Sequence, residues 1–158
     1  MIYIGIGSNL GNRIKNIEKA KYFLSVNGIK IQKSSNYYET QSWPDPTKPK
    51  FINVVIQVRT KISPTKFIEI SKDIEKKLGR KNNFRNSPRT CDIDIISYNE
   101  ITLFGKLNIP HKKMHKRNFV LIPLYEINQK WFHLKLKKNI KELIFSLPIK
   151  DIRSIKQI

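Results

Sequence analysis

The sequence predicts an α+β fold whose elements follow the order β, α, β, β, α, β, the split βαβ arrangement of an antiparallel-rich sheet with helices on one face. Three observations predict it. Apolar residues alternate at Ile2, Ile4 and Ile6, at Ile52, Val54, Ile56 and Val58, and at Ile93 and Ile95, the period of a strand with one face in the core. Two segments between these runs carry apolar residues at helical spacing behind capping residues. Gly, Pro and Asn clusters separate the periodic segments, as turns require.

The opening strand runs from Met1 to Ile6 and ends in the turn cluster Gly5, Gly7, Ser8, Asn9 and Gly11. Asn12 can cap a helix from Arg13 whose apolar positions are Ile14, Ile17, Ala20 and Leu24, with Gly28 placed to stop it. Ile29 to Tyr38 reads as a second strand and Phe51 to Lys61 as a third, joined by a Pro-rich loop. Ser63 and Pro64 are a cap and a first-turn proline for a helix carrying Phe67, Ile70, Ile74 and Leu78 up to Gly79. Arg80 to Arg89 is basic, Asn-rich and short of apolar residues, which marks a mobile loop. Cys91 to Tyr98 is the next strand, Asn99 and Glu100 turn it towards Ile101 to Phe104, and helical patterns follow near Phe119 to Ile127 and Ile140 to Leu147.

A length of 158 residues fits one domain, 1–158, with enough apolar content to bury a core unaided by disulfides or a structural metal. A mean hydropathy of -0.45 and the absence of a long apolar run exclude a membrane helix. A lone Cys91 excludes an internal disulfide, and the amino terminus enters a strand pattern without a secretion signal, so the expected compartment is the cytoplasm. The net charge of +19 points towards polyanions. Lysine-, isoleucine- and asparagine-rich usage with a single alanine, Ala20, indicates drift in residue choice, and the basic residues form no tail, so nucleic acid is not the expected partner.

The most informative segment is Arg89-Thr90-Cys91-Asp92-Ile93-Asp94-Ile95. Strand periodicity puts Asp92 and Asp94 on one face, about 6.5 Å apart at their α-carbons. Both side chains can then converge on a phosphate-bound Mg2+, or simply face solvent beside lysines. Arg89 ahead of the pair can bind phosphate bidentately. The Gly5 to Gly11 cluster is one residue out of step for a dinucleotide fingerprint and lacks a P-loop lysine, so its glycines serve a tight turn and close packing. His111, with Arg117 and Phe119 downstream, forms a polar cluster suited to phosphate. His111 and His115 lack a third ligand for a metal. Asn53 beside Phe51 sits in an apolar strand, where its amide satisfies backbone or reads a heterocycle. Glu75 falls on the second helix, where a solvated carboxylate paired with lysine is the ordinary expectation.

Taken together these residues resemble the 6-hydroxymethyl-7,8-dihydropterin pyrophosphokinase family. The resemblance runs from about Ile2 to Ile127 and rests on five motifs in order. They are Gly7-Ser8-Asn9-Leu10-Gly11; Phe51-x-Asn53; Ile74-Glu75; Pro88-Arg89-Thr90-x-Asp92-x-Asp94; and Pro110-His111 followed by Arg117-x-Phe119. It implies a ferredoxin-like sandwich and transfer of pyrophosphate from ATP to a pterin alcohol. By the same resemblance Asp92 and Asp94 would hold two Mg2+ ions, with Arg89 as a third catalytic residue. Glu75, Arg80, Arg89, His111 and Arg117 would contact ATP. Phe51 and Phe119 would sandwich the pterin ring while Asn53 and Thr40 hydrogen-bond its edge. Closure of the Arg80 to Asn86 loop would expel water. The expected partners are ATP and a small pterin, and the expected state is a monomer. Departures from the family pattern fall at Gln41-Ser42-Trp43-Pro44, at Asn86-Ser87 and at Lys112, and residues after Ile127 match nothing in it.

Two other classes compete. Nucleotidyltransferases also join Gly-Ser to Asp-x-Asp, but within one local unit, whereas Ser8 and Asp92 here are separated by both helices and two strands. An RNA-binding module of the same fold requires aromatic and basic residues exposed across the sheet, and it has no use for two carboxylates.

Overall fold

The alternating runs become neighbouring strands in the computed structural model, which describes residues 1–81, 87–105 and 107–158. In chain order the first elements are β1 (Ile2–Ser8), α1 (Arg13–Val26), β2 (Lys30–Ser34), β3 (Tyr38–Thr40), β4 (Phe51–Arg59), α2 (Pro64–Lys77) and β5 (Asp92–Tyr98). β1 is central and antiparallel to both β4 and β5, and β2 and β3 pair one after the other along the far edge of β4. Counting β2 and β3 as one interrupted strand, this is the strand order of the split βαβ sandwich.

Each helix starts where its cap residue predicts. The Asn12 side chain accepts from the Lys15 amide, and the Ser63 side chain accepts from the Lys66 amide ahead of Pro64. Ile17, Ala20 and Leu24 of α1, with Phe67 and Ile74 of α2, pack on Ile2, Ile4, Ile6, Ile52, Val54, Ile56, Ile93 and Ile95. Full burial of each such aliphatic or aromatic side chain contributes about 1.5–3 kcal/mol.

The predicted second strand, Ile29 to Tyr38, is broken in two. The Ser35 amide donates to the Val55 carbonyl, while the Ser35 hydroxyl accepts from the Val55 amide, so that residue spends its side chain on the ladder and interrupts it. Beyond Asn99, which has φ 50°, the predicted strand Ile101 to Phe104 is reduced to the isolated bridges Tyr98–Ile101 and Leu103–Ile109.

The expectation of helices on one face alone is also corrected. The chain continues through α3 (Asn118–Ile127), the hairpin β6 (Phe132–His133) and β7 (Lys138–Asn139), α4 (Ile140–Phe145), α5 (Ile149–Ser154) and β8 (Lys156–Gln157), which pairs with β3. Val120, Leu121 and Leu124 of α3 and Ile140 and Leu143 of α4 form a second core with Tyr3, Val55 and Ile96 on the opposite face of the sheet. Those three strand residues are apolar on the face the alternation assigned to solvent, and covering them is what stabilises the second layer. No helix among the described residues is long and apolar enough to cross a membrane. Residues 82–86, and with them most of the loop whose closure was expected, lie outside the described residues.

Candidate active site

The second helical layer covers only part of its face. Where it ends, the sheet has a trough, and register explains why. Gly7 on the central strand is paired with Asp92 on one side and with Asn53 on the other, and Gly5 is paired with Asp94 and Val55. Lacking side chains, these glycines form a floor between an acidic wall on β5 and an amide and aromatic wall on β4. Phe119 and Val120 at the start of α3 overhang it.

Asp92 and Asp94 share a face as the alternation requires, with Ile93 and Ile95 on the other. Their charge is met by arginines. Asp92 accepts from Arg80 at 2.8 Å and from Arg89 at 2.7 Å, one guanidinium on each carboxylate oxygen. Asp94 accepts from Arg117 at 3.1 Å. Burial and the neighbouring charge of Asp92 push Asp94 above the usual carboxylate range, opposed by His111 and Arg117. The Nε atoms of Arg89 and Arg117 are buried without a hydrogen-bond partner, leaving donors of both guanidiniums unspent beside the acid pair.

Glu75 is buried rather than solvated, contrary to its ordinary expectation: Oε1 accepts from the Ile93 amide at 2.7 Å and meets Arg80 at 2.6 Å. Arg80 therefore bridges Glu75 and Asp92, tying α2 to the acidic strand. Burial pushes Glu75 up to about 7, against the pull of the Ile93 amide and Arg80. Since its folded value is raised, the unfolded chain loses this proton first as pH climbs, and the folded state is penalised progressively between about 4.5 and about 7. Glu75→Gln keeps an acceptor for the Ile93 amide and removes the penalty. Urea unfolding without metal or nucleotide is expected to show the variant near wild type at pH 4.5 and about 3 kcal/mol more stable at pH 7.5. A gap that does not widen with pH contradicts this origin of the shift.

His111 is fixed by its backbone amide, which donates to Ile96, and by Nδ1, which accepts from the Lys113 amide. Nε2 is left facing Asp94 at 3.9 Å. Burial, opposed by Asp94, holds the imidazole below its ordinary range, so it stands at neutral pH as an uncharged donor. The Arg117 guanidinium lies 5.5 Å from the Phe119 ring centre and the Arg89 guanidinium 5.4 Å from that of Phe51. On the opposite wall the Asn53 amide donates to the Thr40 hydroxyl at 2.9 Å, both residues buried, while Oδ1 is turned towards Gly7. Thr40, Phe51, Asn53, Arg89, Asp92 and Phe119 thus line one cleft. Glu75 and Arg80 stand behind the acid pair at the end of α2, and His111 and Arg117 stand beside it.

Two contributors carried no individual role in the sequence reading. Asn9 pairs backbone to backbone with Arg89 and accepts from the Arg89 amide at 2.7 Å, while its side-chain amide donates to Pro49. One side chain thereby pins both the arginine segment and the loop before β4. Trp43 lines the cleft together with Gln41. An Asn directly after the Gly-x-Gly-Ser turn was the available signal for the first, and nothing in the spacing of the sequence marks the second.

The family model described as 7,8-dihydro-6-hydroxymethylpterin-pyrophosphokinase (HPPK) matches residues 3–129. A 2-amino-4-hydroxy-6-hydroxymethyldihydropteridine pyrophosphokinase of Aquifex aeolicus is 37% identical over 146 residues, covering 89% of this chain and 88% of that protein. The protein of the same name from Bacillus subtilis is 35% identical, over 80% of this chain and 77% of its own. Among solved structures, wild-type Plasmodium falciparum HPPK-DHPS with pterin and p-hydroxybenzoate superposes with a TM-score of 0.78 at 16% identity, a likeness of fold. It covers 99% of this chain and 46% of that one, so the present chain spans less than half of the chain it matches there. The family match runs from β1 past the end of α3, through both walls of the trough and the helix that overhangs it, and the chain belongs to the 7,8-dihydro-6-hydroxymethylpterin-pyrophosphokinase family.

Proposed function

We propose that the trough is where this chain performs its family's reaction, transfer of pyrophosphate from ATP to the hydroxymethyl group of 6-hydroxymethyl-7,8-dihydropterin, giving AMP and the pterin diphosphate for folate biosynthesis. One observation carries the reading. A buried amide that shares one cleft with two phenylalanines is separated by a single glycine-floored strand from two carboxylates on one face. A flat bicyclic ring stacked by Phe51 and Phe119, its edge bonded by Asn53 and Thr40, would extend its hydroxymethyl arm across Gly7 towards Asp92 and Asp94.

The acid pair suits Mg2+. Its donors are hard carboxylate oxygens, and no cluster of three or more His, Cys, Asp or Glu gathers among the described residues, so other coordination positions fall to phosphate oxygens and water, as Mg2+ prefers. Asp92 and Asp94 would hold two such ions, whose charge would offset the burial and the Asp92 repulsion that push Asp94 above its usual range. When bound, magnesium supplies charge neutralisation on the phosphate chain. Arg89 and Arg117, each holding an unpartnered buried Nε, bind and orient the phosphates, joined by Arg80 and His111. The pterin hydroxyl oxygen forms its new bond to the β-phosphorus and gives up its proton to solvent as the bond between that phosphorus and the oxygen bridging it to the α-phosphate breaks, and AMP leaves with the bridging oxygen. Such a transfer depends on alignment and charge compensation. The excess of basic residues draws in a polyanionic co-substrate.

The RNA-binding alternative requires an open sheet face. α3 and α4 cover much of that face here, and the part left open holds the two carboxylates. Purified protein given ATP, Mg2+ and 6-hydroxymethyl-7,8-dihydropterin is expected to release one AMP per pterin diphosphate, to stop on addition of EDTA and to resume when Mg2+ is restored. ADP as the nucleotide product, or turnover indifferent to EDTA, would sink the reading.

A further inference from the structure

The cleft has an open side, and a half-exposed tryptophan stands at it. Trp43 lies in the loop between β3 and β4, with 47% of its surface exposed, yet it lines the same cleft as Thr40, Phe51, Asn53 and Phe119. A lone exposed aromatic needs no explanation. This one is held: the Lys113 ammonium lies 5.3 Å and the Arg117 guanidinium 5.8 Å from its ring centre. Arg117 also lies 5.5 Å from the Phe119 ring centre and donates to Asp94. Trp43, Arg117 and Phe119 therefore form a linked aromatic and cationic assembly that joins the loop to the segment bearing His111. Contacts of this kind hold an indole in place without burying it, which leaves surface free for a ligand.

We propose that Trp43 is a specificity-determining residue, a third aromatic wall that closes the edge of the bicyclic ring left open between Phe51 and Phe119 while Lys113 and Arg117 hold the indole in position. The proposal rests on the reading that the pterin occupies this cleft, and it adds the residue that selects for a flat ring of that breadth. Phe51, Asn53 and Thr40 are fixed on the sheet. Trp43 sits on a loop, so it can tighten when the ring arrives and exclude water from the ring's remaining exposed surface.

The test is calorimetric titration of 6-hydroxymethylpterin into protein holding Mg2+ and a non-hydrolysable ATP analogue, with wild type, Trp43→Ala and Trp43→Phe. Nucleotide affinity is measured separately without pterin. Trp43→Ala is expected to weaken pterin binding about tenfold, equivalent to about 1.4 kcal/mol. Trp43→Phe should stay within about threefold of wild type because an aromatic ring still covers the open edge of the pterin. Nucleotide affinity should change less than about twofold, since Arg117 keeps Phe119 and Asp94 as partners. Equal pterin affinity in Trp43→Ala and wild type overturns the proposal, and so does a parallel loss of nucleotide affinity, which marks a structural role. Wild type that binds nucleotide but no pterin removes the cleft reading itself, and the proposal with it.

Discussion

Asp94→Ala is expected to lower AMP formation on the order of 1,000-fold or more at saturating ATP, pterin and magnesium. The thermal midpoint of the substrate-free protein should not fall with it. The two effects separate because of what Asp94 costs at rest. Burial and the charge of Asp92 hold it above its usual range, so its ionised form is a liability to the empty fold. Asp94 keeps 38% of its side-chain surface in solvent, so its pair with Arg117 is a partly exposed one contributing about 1 kcal/mol at most, and the stability change stays within that. Asp94→Asn sharpens the test by keeping an oxygen for Arg117 while deleting the charge. It should lose activity as Ala does, and magnesium binding in the presence of nucleotide should weaken in both variants. Turnover near wild type in either would remove the acid pair from the chemistry.

The acid pair was legible because period-two alternation is a local property: Ile93 and Ile95 in the core force Asp92 and Asp94 outward together. The caps at Asn12 and Ser63 were legible for the same reason, since a cap bonds within three residues of itself. What stayed hidden depends on distant partners. Glu75 looked solvated by its place on α2, and only the fold brings the Ile93 amide and Arg80 to it. The break at Ser35 comes from a bond with Val55, twenty residues away. The second helical layer did leave a mark. Tyr3 and Val55 are apolar on the supposedly wet face, and two such residues on adjacent strands call for a cover. Along β5 the register with β1 slips by one residue between the pairs Tyr3–Ser97 and Ile4–Ile95, and the extra residue, Ile96, turns into that second core. No propensity announced that bulge.

Gly7→Ala is the smallest change with a large expected effect on substrate binding. A Cβ at this position would stand 2.9 Å from Asn53 Oδ1 and 3.4 Å from Phe51 Cδ1. Neither neighbour yields easily. The Asn53 amide is anchored through Nδ2 to the buried Thr40 hydroxyl, so turning Oδ1 aside breaks a buried hydrogen bond. Phe51 is carried by the same strand and has Arg89 over its ring. Overpacking of this kind destabilises by about 1–3 kcal/mol, and here it displaces both groups assigned to the pterin. The KM for pterin is expected to rise about 10- to 100-fold, while the KM for ATP moves less, because Arg80 and Arg117 are held by Asp92 and Asp94 on the β5 side and Arg89, though it lies over the Phe51 ring, keeps its bond to Asp92. Gly5→Ala is the matched control on the same strand and face. Its Cβ would meet Ile96 Cδ1 at 3.5 Å, an ordinary contact, so both KM values should stay within about threefold of wild type. If the two alanines raise the pterin KM equally, the effect belongs to the strand as a whole and not to the Asn53 amide. If only Gly7→Ala raises it, the missing side chain at position 7 is what keeps that amide within reach of the ring.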